Sequence, residues 1–361
     1  MTFTSSELTY RAYSYKNNST PVALSTETIS LVPDSTNPGS FTAPAGQILL
    51  KINYFSLNPI DVKLHNMAIG FVSSFINDKN GFGRDFSGEV VAIGSGAKTD
   101  LKVGDLVQGI YPKVYGKGSA ADYLLIDPAK ADLTRKPENL TLAESSSWPT
   151  VLGTALLMSS DLEYKDKKVL VLGGGTSVGR YLVQIAKQRG AREVAATCST
   201  RTGQTLRTIG ADTIIDYTKS GNTLVPVLES VKETGTFDYI LDCYGGNDLF
   251  GEINNILVKG GRYYTIAGDY PGSGFTQLVS SAGRAIGRSA LSAIGWLSFN
   301  YKFVMFERYR DNINEAKEYL ESGKLNVYVD SVFPFTELDQ AIDKLESGKT
   351  AGKVVVEVSK A

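Results

Sequence analysis

The chain has 361 residues, of which 42% are apolar and 21% are charged, so it can form a sizeable core and two domains. Its 37 basic and 38 acidic residues leave a formal charge of −1, which excludes a general attraction for nucleic acid or an anionic membrane. Two cysteines and one histidine exclude most zinc sites and favour a reducing compartment. Because the sequence shows no pattern of a secretion signal and no long apolar run, we expect a cytoplasmic protein without a nucleic-acid partner.

The first part of the chain, as far as about residue 149, has the pattern of short strands separated by Gly, Pro and Asp. The strand-like runs are QILLKINYFSL (47–57), FSGEVVAIG (86–94) and DYLLID (122–127). Short strands with this punctuation predict a compact, barrel-like β fold.

From Lys167 onward the pattern becomes a parallel βαβ array. Apolar runs of strand length recur about every 20 to 30 residues, with helical patterns between them. The runs are KVLVLGG (168–174), EVAATC (193–198), TIIDY (213–217), FDYILDCYGG (237–246) and RYYTIAG (262–268). After Glu307 the pattern changes again, to helix, strand, helix and strand, so the chain is expected to leave the array and end elsewhere.

A glycine turn follows the first strand of the array and leads into a helical pattern. Gly173, Gly175 and Gly179 are spaced G-x-G-x-x-x-G, one residue longer than the usual dinucleotide fingerprint. Such a turn directs backbone N–H groups and a helix N-terminus at a pyrophosphate. The residues predicted to bind it are Gly173, Gly174, Gly175, Thr176, Ser177 and Val178. The alternative is a glycine-rich turn that only packs tightly.

Cofactor choice depends on the side chains after the second strand of the array. Glu193 lies at the beginning of that strand, whereas Ser199 and Arg201 follow its end. Hydroxyl and guanidinium groups there favour NADP over NAD, unless Arg201 is an ordinary solvated charge. Tyr217, after the third strand, is expected to lie near the adenosine, or is a surface aromatic.

Together these motifs resemble the medium-chain dehydrogenase/reductases, specifically their zinc-free quinone-oxidoreductase branch, over nearly the whole chain. The motifs are SLNPIDVKLHN (56–66), GRDFSGEVVAIG (83–94), KVGDLVQG (102–109), GTA (153–155), VLVLGGGTSVGRYLVQIAK (169–187), GADTIIDY (210–217), FDYILDCYGG (237–246) and GKTAGKVVVEV (348–358). Within the branch, GGGTSVGRY and WPTVLGTALL are most similar to fungal Yim-type proteins, which are linked to lipid particles.

The resemblance implies an α/β fold of two domains. A Rossmann domain with a doubly wound parallel sheet, residues 150–307, is inserted into a GroES-like, β-rich catalytic domain made of residues 1–149 and 308–361. The active site is expected in the cleft between them. Thr176 and Ser177 stand where relatives carry a second glycine pair, so we expect a stiffer turn and weaker cofactor binding.

The implied chemistry is hydride transfer from NADPH to a small-molecule quinone or α,β-unsaturated carbonyl (enone), without zinc. By resemblance, Asn58 lies near the nicotinamide, where its amide can donate to a developing oxyanion. The alternative is that Asn58 is a structural turn residue before Pro59. The resemblance also assigns Thr154 and Lys353 to the cofactor.

Two neighbours of Asn58 complete the candidate catalytic residues. Asp61 is expected to brace the turn rather than to transfer protons. Lys63 stabilises an oxyanion if it faces the cleft, and is otherwise an ordinary exposed lysine.

Cys198 and Cys243 are expected to be small buried side chains rather than catalytic thiols. Tyr111, Tyr115 and Phe71 line an apolar pocket or belong to the core.

The stretch from Tyr270 to Phe306 contains no acidic residue. Its basic residues are Arg284, Arg288 and Lys302. An apolar segment with only positive charge suits an anionic lipid surface such as a lipid droplet. The alternative, which the resemblance implies and which we favour, is a helix packed near the cleft and an edge strand, FNYKFVMF, that pairs in a homodimer. Glycines at 283, 287 and 295 are expected to weaken a long amphipathic helix.

The sequence therefore predicts a zinc-free NADPH-dependent reductase of quinones or enones. The alternative is an NADPH-binding protein with little turnover, acting as a regulator or a lipid-droplet scaffold.

Overall fold

A computed structural model describes residues 2–68, 79–113, 115–269, 275–304 and 310–358. The chain forms two compact units. Unit 1 comprises Met1–Thr150 and Arg308–Ala361, and unit 2 comprises Val151–Glu307. The boundary expected from the sequence, after residue 149, differs from this division by one residue. Phe71 lies outside the described residues, as do 270–274 and 305–306 of the acid-free stretch.

The strands and helices of the described residues follow in chain order. The strands are β1 (Glu7–Tyr15), β2 (Ala23–Ser30), β3 (Val32–Pro33), β4 (Phe41–Thr42), β5 (Ile48–Ser56), β6 (Asn80–Gly81), β7 (Asp85–Ile93), β8 (Leu106–Ile110), β9 (Tyr123–Ile126), β10 (Asp132–Arg135), β11 (Lys168–Leu172), β12 (Glu193–Cys198), β13 (Thr213–Asp216), β14 (Phe237–Asp242), β15 (Leu257–Thr265), β16 (Asn300–Phe303), β17 (Val329–Pro334) and β18 (Lys353–Glu357). The helices are α1 (Pro59–Met67), α2 (Leu142–Ser146), α3 (Pro149–Met158), α4 (Ser177–Gln188), α5 (Thr200–Thr208), α6 (Leu224–Thr234), α7 (Ile253–Ile256), α8 (Phe275–Ala293), α9 (Arg310–Glu321) and α10 (Leu338–Glu346).

Unit 1 is β-rich. Its largest sheet has the order β10-β8-β7-β5-β18-β17, and β9 also pairs with β5. Strand β18, from the C-terminal segment, pairs antiparallel with β5 and so returns the chain to the N-terminal sheet, as the resemblance implies. Phe55, Phe86 and Phe335 are fully buried in its core, and Tyr111 and Tyr115 pack there too, which assigns both tyrosines to the core.

Unit 2 is a doubly wound parallel sheet with the strand order β13-β12-β11-β14-β15-β16. Every residue of β11 is buried, as expected for a central strand covered on both faces. The order changes direction between β11 and β14, and ligands of such sheets bind at the carboxyl ends of the strands at that point. The predicted α/β fold, with a doubly wound parallel sheet and a separate β-rich unit, is confirmed.

Helix α8 forms in the acid-free stretch in spite of its glycines. It runs unbroken from Phe275 to Ala293, through Gly283 and Gly287. Both glycines are exposed, so each costs only the roughly 1 kcal/mol propensity difference from alanine, and the buried Ala285 anchors the helix to the unit 2 core. Gly295, with φ 73°, lies just beyond the helix end. None of the described helices is both long and apolar enough to cross a bilayer.

Candidate functional site

The glycine turn lies at the carboxyl end of β11, where the strand order of unit 2 reverses. Gly173 has φ 71°, a left-handed conformation that other residues rarely adopt. A Cβ atom on Gly179 would lie 2.2 Å from the carbonyl oxygen of Gly173, so only glycine fits this approach of helix to strand. The turn is therefore shaped by its glycines, as a cradle for a phosphate group requires.

Thr176 occupies the position before α4 without strain. Its φ is −70°, and its hydroxyl oxygen accepts a hydrogen bond from the Gly179 N–H at 3.0 Å as an N-cap. Within the described residues, the N–H groups of Ser177 and Val178 have no acceptor, and both residues are partly exposed. These two N–H groups, at the positive end of a helix, fit the pyrophosphate of a dinucleotide. The structure thus brings the predicted residues 173–178 together in one turn.

The carboxyl end of β12 carries the residues predicted to select the cofactor. Glu193 begins the strand and lies 3.6 Å from Lys168 Nζ, at the opposite end of the strand from Ser199. Ser199 precedes α5 and is partly exposed, whereas Arg201 is exposed in its first turn. Tyr217 follows β13 and is 38% exposed.

Three further predicted residues lie in unit 2. Thr154 is half-buried on α3. Burial raises the pKa of the Cys198 and Cys243 thiols, so neither is poised as a thiolate nucleophile. This favours the structural role that the sequence suggests for both cysteines.

A buried polar cluster in unit 1, here called the Asp85 cluster, consists of Ser56, Asn58, Asp85, Thr150 and Lys353. Asp85 is fully buried, and its Oδ1 accepts hydrogen bonds from the N–H of Thr150 at 3.0 Å and from its hydroxyl at 2.5 Å. Its Oδ2 accepts one from Asn58 Nδ2 at 2.9 Å and lies 3.5 Å from Lys353 Nζ. A buried carboxylate is stable only when its oxygens are satisfied in this way.

Asn58 lies in the Asp85 cluster, immediately before α1, with an extended backbone. Its side chain is 2% exposed, and its Oδ1 accepts a hydrogen bond from Lys353 Nζ at 2.5 Å. One N–H of Nδ2 is donated to Asp85, and the second has no acceptor among the described residues. The geometry thus gives Asn58 a structural role and also leaves one donor for a substrate oxygen; its catalytic role stays a prediction.

Asp61 and Lys63, both on α1, have different surroundings. Asp61 is buried, and its Oδ2 accepts the backbone N–H of Asn58 at 2.7 Å, which is the predicted bracing role. Burial, helped by the Asp85 charge, raises the pKa of Asp61 to about 7. Lys63 is half-buried, its pKa is lowered by burial, and it makes no hydrogen bond with the described residues. The structure therefore joins Asp61 to Asn58 but leaves Lys63 apart.

The raised pKa of Asp61 predicts that the stability difference between the wild type and Asp61→Asn depends on pH. An acid whose folded pKa lies above its unfolded value stabilises the fold at low pH, and this contribution is lost as the pH rises through about 7. Asp61→Asn can still accept the Asn58 N–H but has no proton to lose. Its free energy of unfolding relative to the wild type should therefore rise between pH 4 and pH 7.5, measured by urea unfolding. A difference in the free energy of unfolding that does not change with pH would contradict the raised pKa of Asp61.

The sequence reasoning missed Asp85, Thr150 and Ser56. Asp85 comes directly before the apolar run FSGEVVAIG, and this position could have indicated a buried polar site. A carboxylate at the start of a buried strand needs hydrogen-bond or charged partners. The signal for Thr150 is weaker, since WPTVLG places a hydroxyl at the start of an apolar helix.

The donor set does not fit a zinc site of the alcohol dehydrogenase kind, which needs several Cys and His ligands. The chain has one histidine and two cysteines, and the described residues include no group of three or more Cys, His, Asp or Glu side chains placed to hold a metal. We expect purified protein to contain no stoichiometric zinc and chelators to leave any reductase activity intact. Elemental analysis finding about one zinc per chain would contradict this.

Comparison with known proteins gives two family matches. Residues 44–138 match the alcohol dehydrogenase GroES-like domain, and residues 209–356 match a family described as zinc-binding dehydrogenase. The metal in the second description is not supported by the donor set above. The two matches lie in the parts of the chain that the sequence assigns to the GroES-like domain and to the Rossmann domain with the C-terminal segment.

Relatives cover nearly the whole chain. Protein YIM1-2 of Lachancea thermotolerans is 31% identical, covering 98% of this chain and 99% of its own. Protein YIM1 of Vanderwaltozyma polyspora is 30% identical, covering 97% and 99%. The solved structure of the quinone oxidoreductase from Coxiella burnetii superposes with a TM-score of 0.75 at 25% identity, covering 97% and 100%. The chain therefore belongs to the medium-chain dehydrogenase/reductase superfamily, with the yeast YIM1 proteins among its full-length relatives.

Proposed function

We propose that the protein is an NADPH-dependent reductase of quinones or α,β-unsaturated carbonyl compounds and that it works without zinc. The superfamily depends on nicotinamide dinucleotides. The observation that carries the proposal is the turn of residues 173–179, whose free N–H groups and close glycine contacts fit a dinucleotide pyrophosphate. The quinone oxidoreductase among the similar structures supports the substrate class.

The preference for NADPH over NADH is supported by the residues after β12. A guanidinium and a hydroxyl, from Arg201 and Ser199, stand where NAD-dependent sites carry an acid for the ribose 2′-OH. An acid, Asp216, lies at the end of the neighbouring strand β13. Its Oδ2 already accepts the Thr200 hydroxyl at 2.5 Å, and its Oδ1 accepts the Thr218 hydroxyl at 2.6 Å. Its Oδ1 also accepts the Thr218 N–H at 3.0 Å, so three of the roughly four acceptor sites of this carboxylate are occupied.

Arg201→Ala should erode the preference for NADPH. A charge-assisted contact to the 2′-phosphate is worth about 1.5 to 3 kcal/mol, so NADPH should bind roughly tenfold to a hundredfold more weakly while NADH is unaffected. The matched control is Arg207→Ala, in the last turn of the same helix. Calorimetric titration of both cofactors measures the effect. Equal affinity of the wild type for NADPH and NADH would refute the proposed preference.

The substrate chemistry is assigned to unit 1 residues. NADPH, when bound, supplies the hydride. As the substrate carbonyl gains electrons, its oxygen becomes negative and is stabilised by a fixed hydrogen-bond donor. The free N–H of Asn58 is the donor that we propose, because the amide cannot lose its proton near neutral pH. The proton that completes the reduction then comes from solvent, because Asp61 is engaged in bracing the turn before α1.

A turnover screen tests the proposal. NADPH oxidation is followed with a panel of quinones and enones, with NADH in parallel. Turnover of at least one class, faster with NADPH, is the expected result. Failure to oxidise NADPH with any of them, in protein that still binds NADPH by calorimetry, would overturn the enzyme assignment.

That failure would favour the second candidate, an NADPH-binding regulator or lipid-droplet scaffold. The observation in its favour is the apolar surface at and just beyond α8, where Ile286, Ile294 and Trp296 are 56%, 71% and 77% exposed. Against it, Arg288 pairs with Asp269, and Lys302 lies 3.7 Å from Asp161, so their charges are engaged within unit 2. Strand β16 lies at the edge of its sheet, where it could pair with a second copy of the chain, so a homodimer stays a further prediction. Sedimentation equilibrium would test it.

A further inference from the structure

Lys353 makes contacts that the sequence-based assignment to the cofactor does not explain. Its side chain, at the start of β18, is 5% exposed. Its ammonium donates to the carbonyl oxygen of Leu57 at 2.8 Å, to Asn58 Oδ1 at 2.5 Å and to Asp85 Oδ2 at 3.5 Å. An ammonium has three N–H groups. All three are therefore directed at acceptors in unit 1, which leaves none for a phosphate oxygen.

We propose that Lys353 is a positioning residue that acts through Asn58: it fixes the orientation of the Asn58 amide and makes its free N–H a stronger donor. This inference rests on the proposed reductase function, because it concerns the donor that the reaction needs.

The orientation of the amide follows from the charges on its two sides. Asn58 Oδ1 faces the Lys353 ammonium, and Nδ2 faces the Asp85 carboxylate. A flipped amide would place the Nδ2 hydrogens against the ammonium and Oδ1 against the carboxylate, and both contacts would be repulsive. Because Asn58 is 2% exposed, water cannot screen that repulsion effectively. The free N–H consequently has one fixed direction.

The strength of the donor follows from the same contact. A hydrogen bond from an ammonium to Oδ1 draws electron density away from the amide nitrogen. Hydrogen bonds linked in this way strengthen one another in a buried, low-dielectric setting. A neutral side chain at position 353 would remove this polarisation but leave Asp85 with its hydrogen bonds from Asn58 and Thr150.

The first test is a double-mutant cycle of Lys353→Met and Asn58→Ala. Lys353→Met should lower kcat about tenfold with the NADPH Kd unchanged, and should cause no further loss of kcat in the Asn58→Ala background. The matched control is Lys168→Met, which removes the fully buried lysine of unit 2 and should leave kcat per folded molecule unchanged. A weaker NADPH Kd with unchanged kcat, or the same loss of kcat in both backgrounds, would overturn the inference. If Lys353→Met does not fold, Lys353→Gln, which keeps a donor without the charge, replaces it.

The second test does not depend on turnover. Protein labelled with ¹⁵N-asparagine should show side-chain NH₂ signals for Asn58, identified by their loss in Asn58→Ala. Removal of the ammonium should shift these signals upfield in Lys353→Met but not in Lys168→Met. Unmoved signals overturn the inference whatever the turnover. If they move while the wild type reduces no quinone or enone, the proposed function fails and the positioning of Asn58 by Lys353 stands.

Discussion

Asn58→Ala should lower kcat by about tenfold to a thousandfold and leave NADPH affinity nearly unchanged. The reason is that the free N–H of Asn58 is proposed to meet the substrate oxygen only as negative charge develops there, so its loss raises the barrier rather than weakening cofactor binding. Steady-state kinetics with the best quinone or enone from the screen gives kcat. Calorimetric titration with NADPH gives the affinity.

A purely structural Asn58 would give a different result. The variant would then be less stable, with kcat per folded molecule almost the same as in the wild type. Thr141→Ala is the matched control, because Thr141 caps α2 in a reciprocal pair with Glu144, much as Asp61 braces the turn before α1. It should cost about 1 kcal/mol of stability without changing kcat. The folded fraction of each variant is measured by thermal unfolding before kinetics are compared.

The fold could be predicted from the sequence because its periodicity is strong. Apolar runs of strand length such as Val169–Leu172 and Tyr239–Leu241 recur between helical patterns, which is typical of buried parallel strands. The change of pattern after Glu307 predicts only that the chain leaves the parallel array, whereas its return to the N-terminal part, seen in the pairing of β18 with β5, is what the resemblance implies. Helix α8 does not follow from glycine propensity alone, because the packing of Ala285 that holds the helix in place is a tertiary contact.

The glycine turn was also predictable, because its residues are consecutive and their spacing carries the geometry. The Asp85 cluster was not. Its members come from β5, the turn before α1, β7, the start of α3 and β18, and they meet only when the sheet of unit 1 is assembled. The resemblance assigns Asn58 to the substrate oxygen and Lys353 to the cofactor, with no contact expected between them. Their hydrogen bond is a property of the antiparallel pairing of β18 with β5, which no local pattern specifies.

Asp85→Ala should be among the most destabilising single changes in unit 1, costing about 3 to 5 kcal/mol, as expected when one partner of a buried ion pair is removed. It leaves the Lys353 ammonium without its carboxylate, and it removes the acceptor for Thr150 and Asn58, which are only 7% and 2% exposed. Urea unfolding can report on unit 1 alone. The chain has two tryptophans, and in a Trp296→Phe background the buried Trp148 of unit 1 is the remaining one.

A compensating variant distinguishes the two causes of this loss of stability, which are the unpaired ammonium and the unsatisfied donors. Asp85→Leu combined with Lys353→Met removes both charges and replaces them with apolar side chains, so it should recover most of the lost stability. The unpaired ammonium would then account for the loss in Asp85→Ala. An equally large loss in the double variant would instead assign it to the donors of Thr150 and Asn58, which stay unsatisfied in both proteins. The double variant should still lack the polarised amide, so its kcat should remain as low as that of Lys353→Met even where its stability is restored.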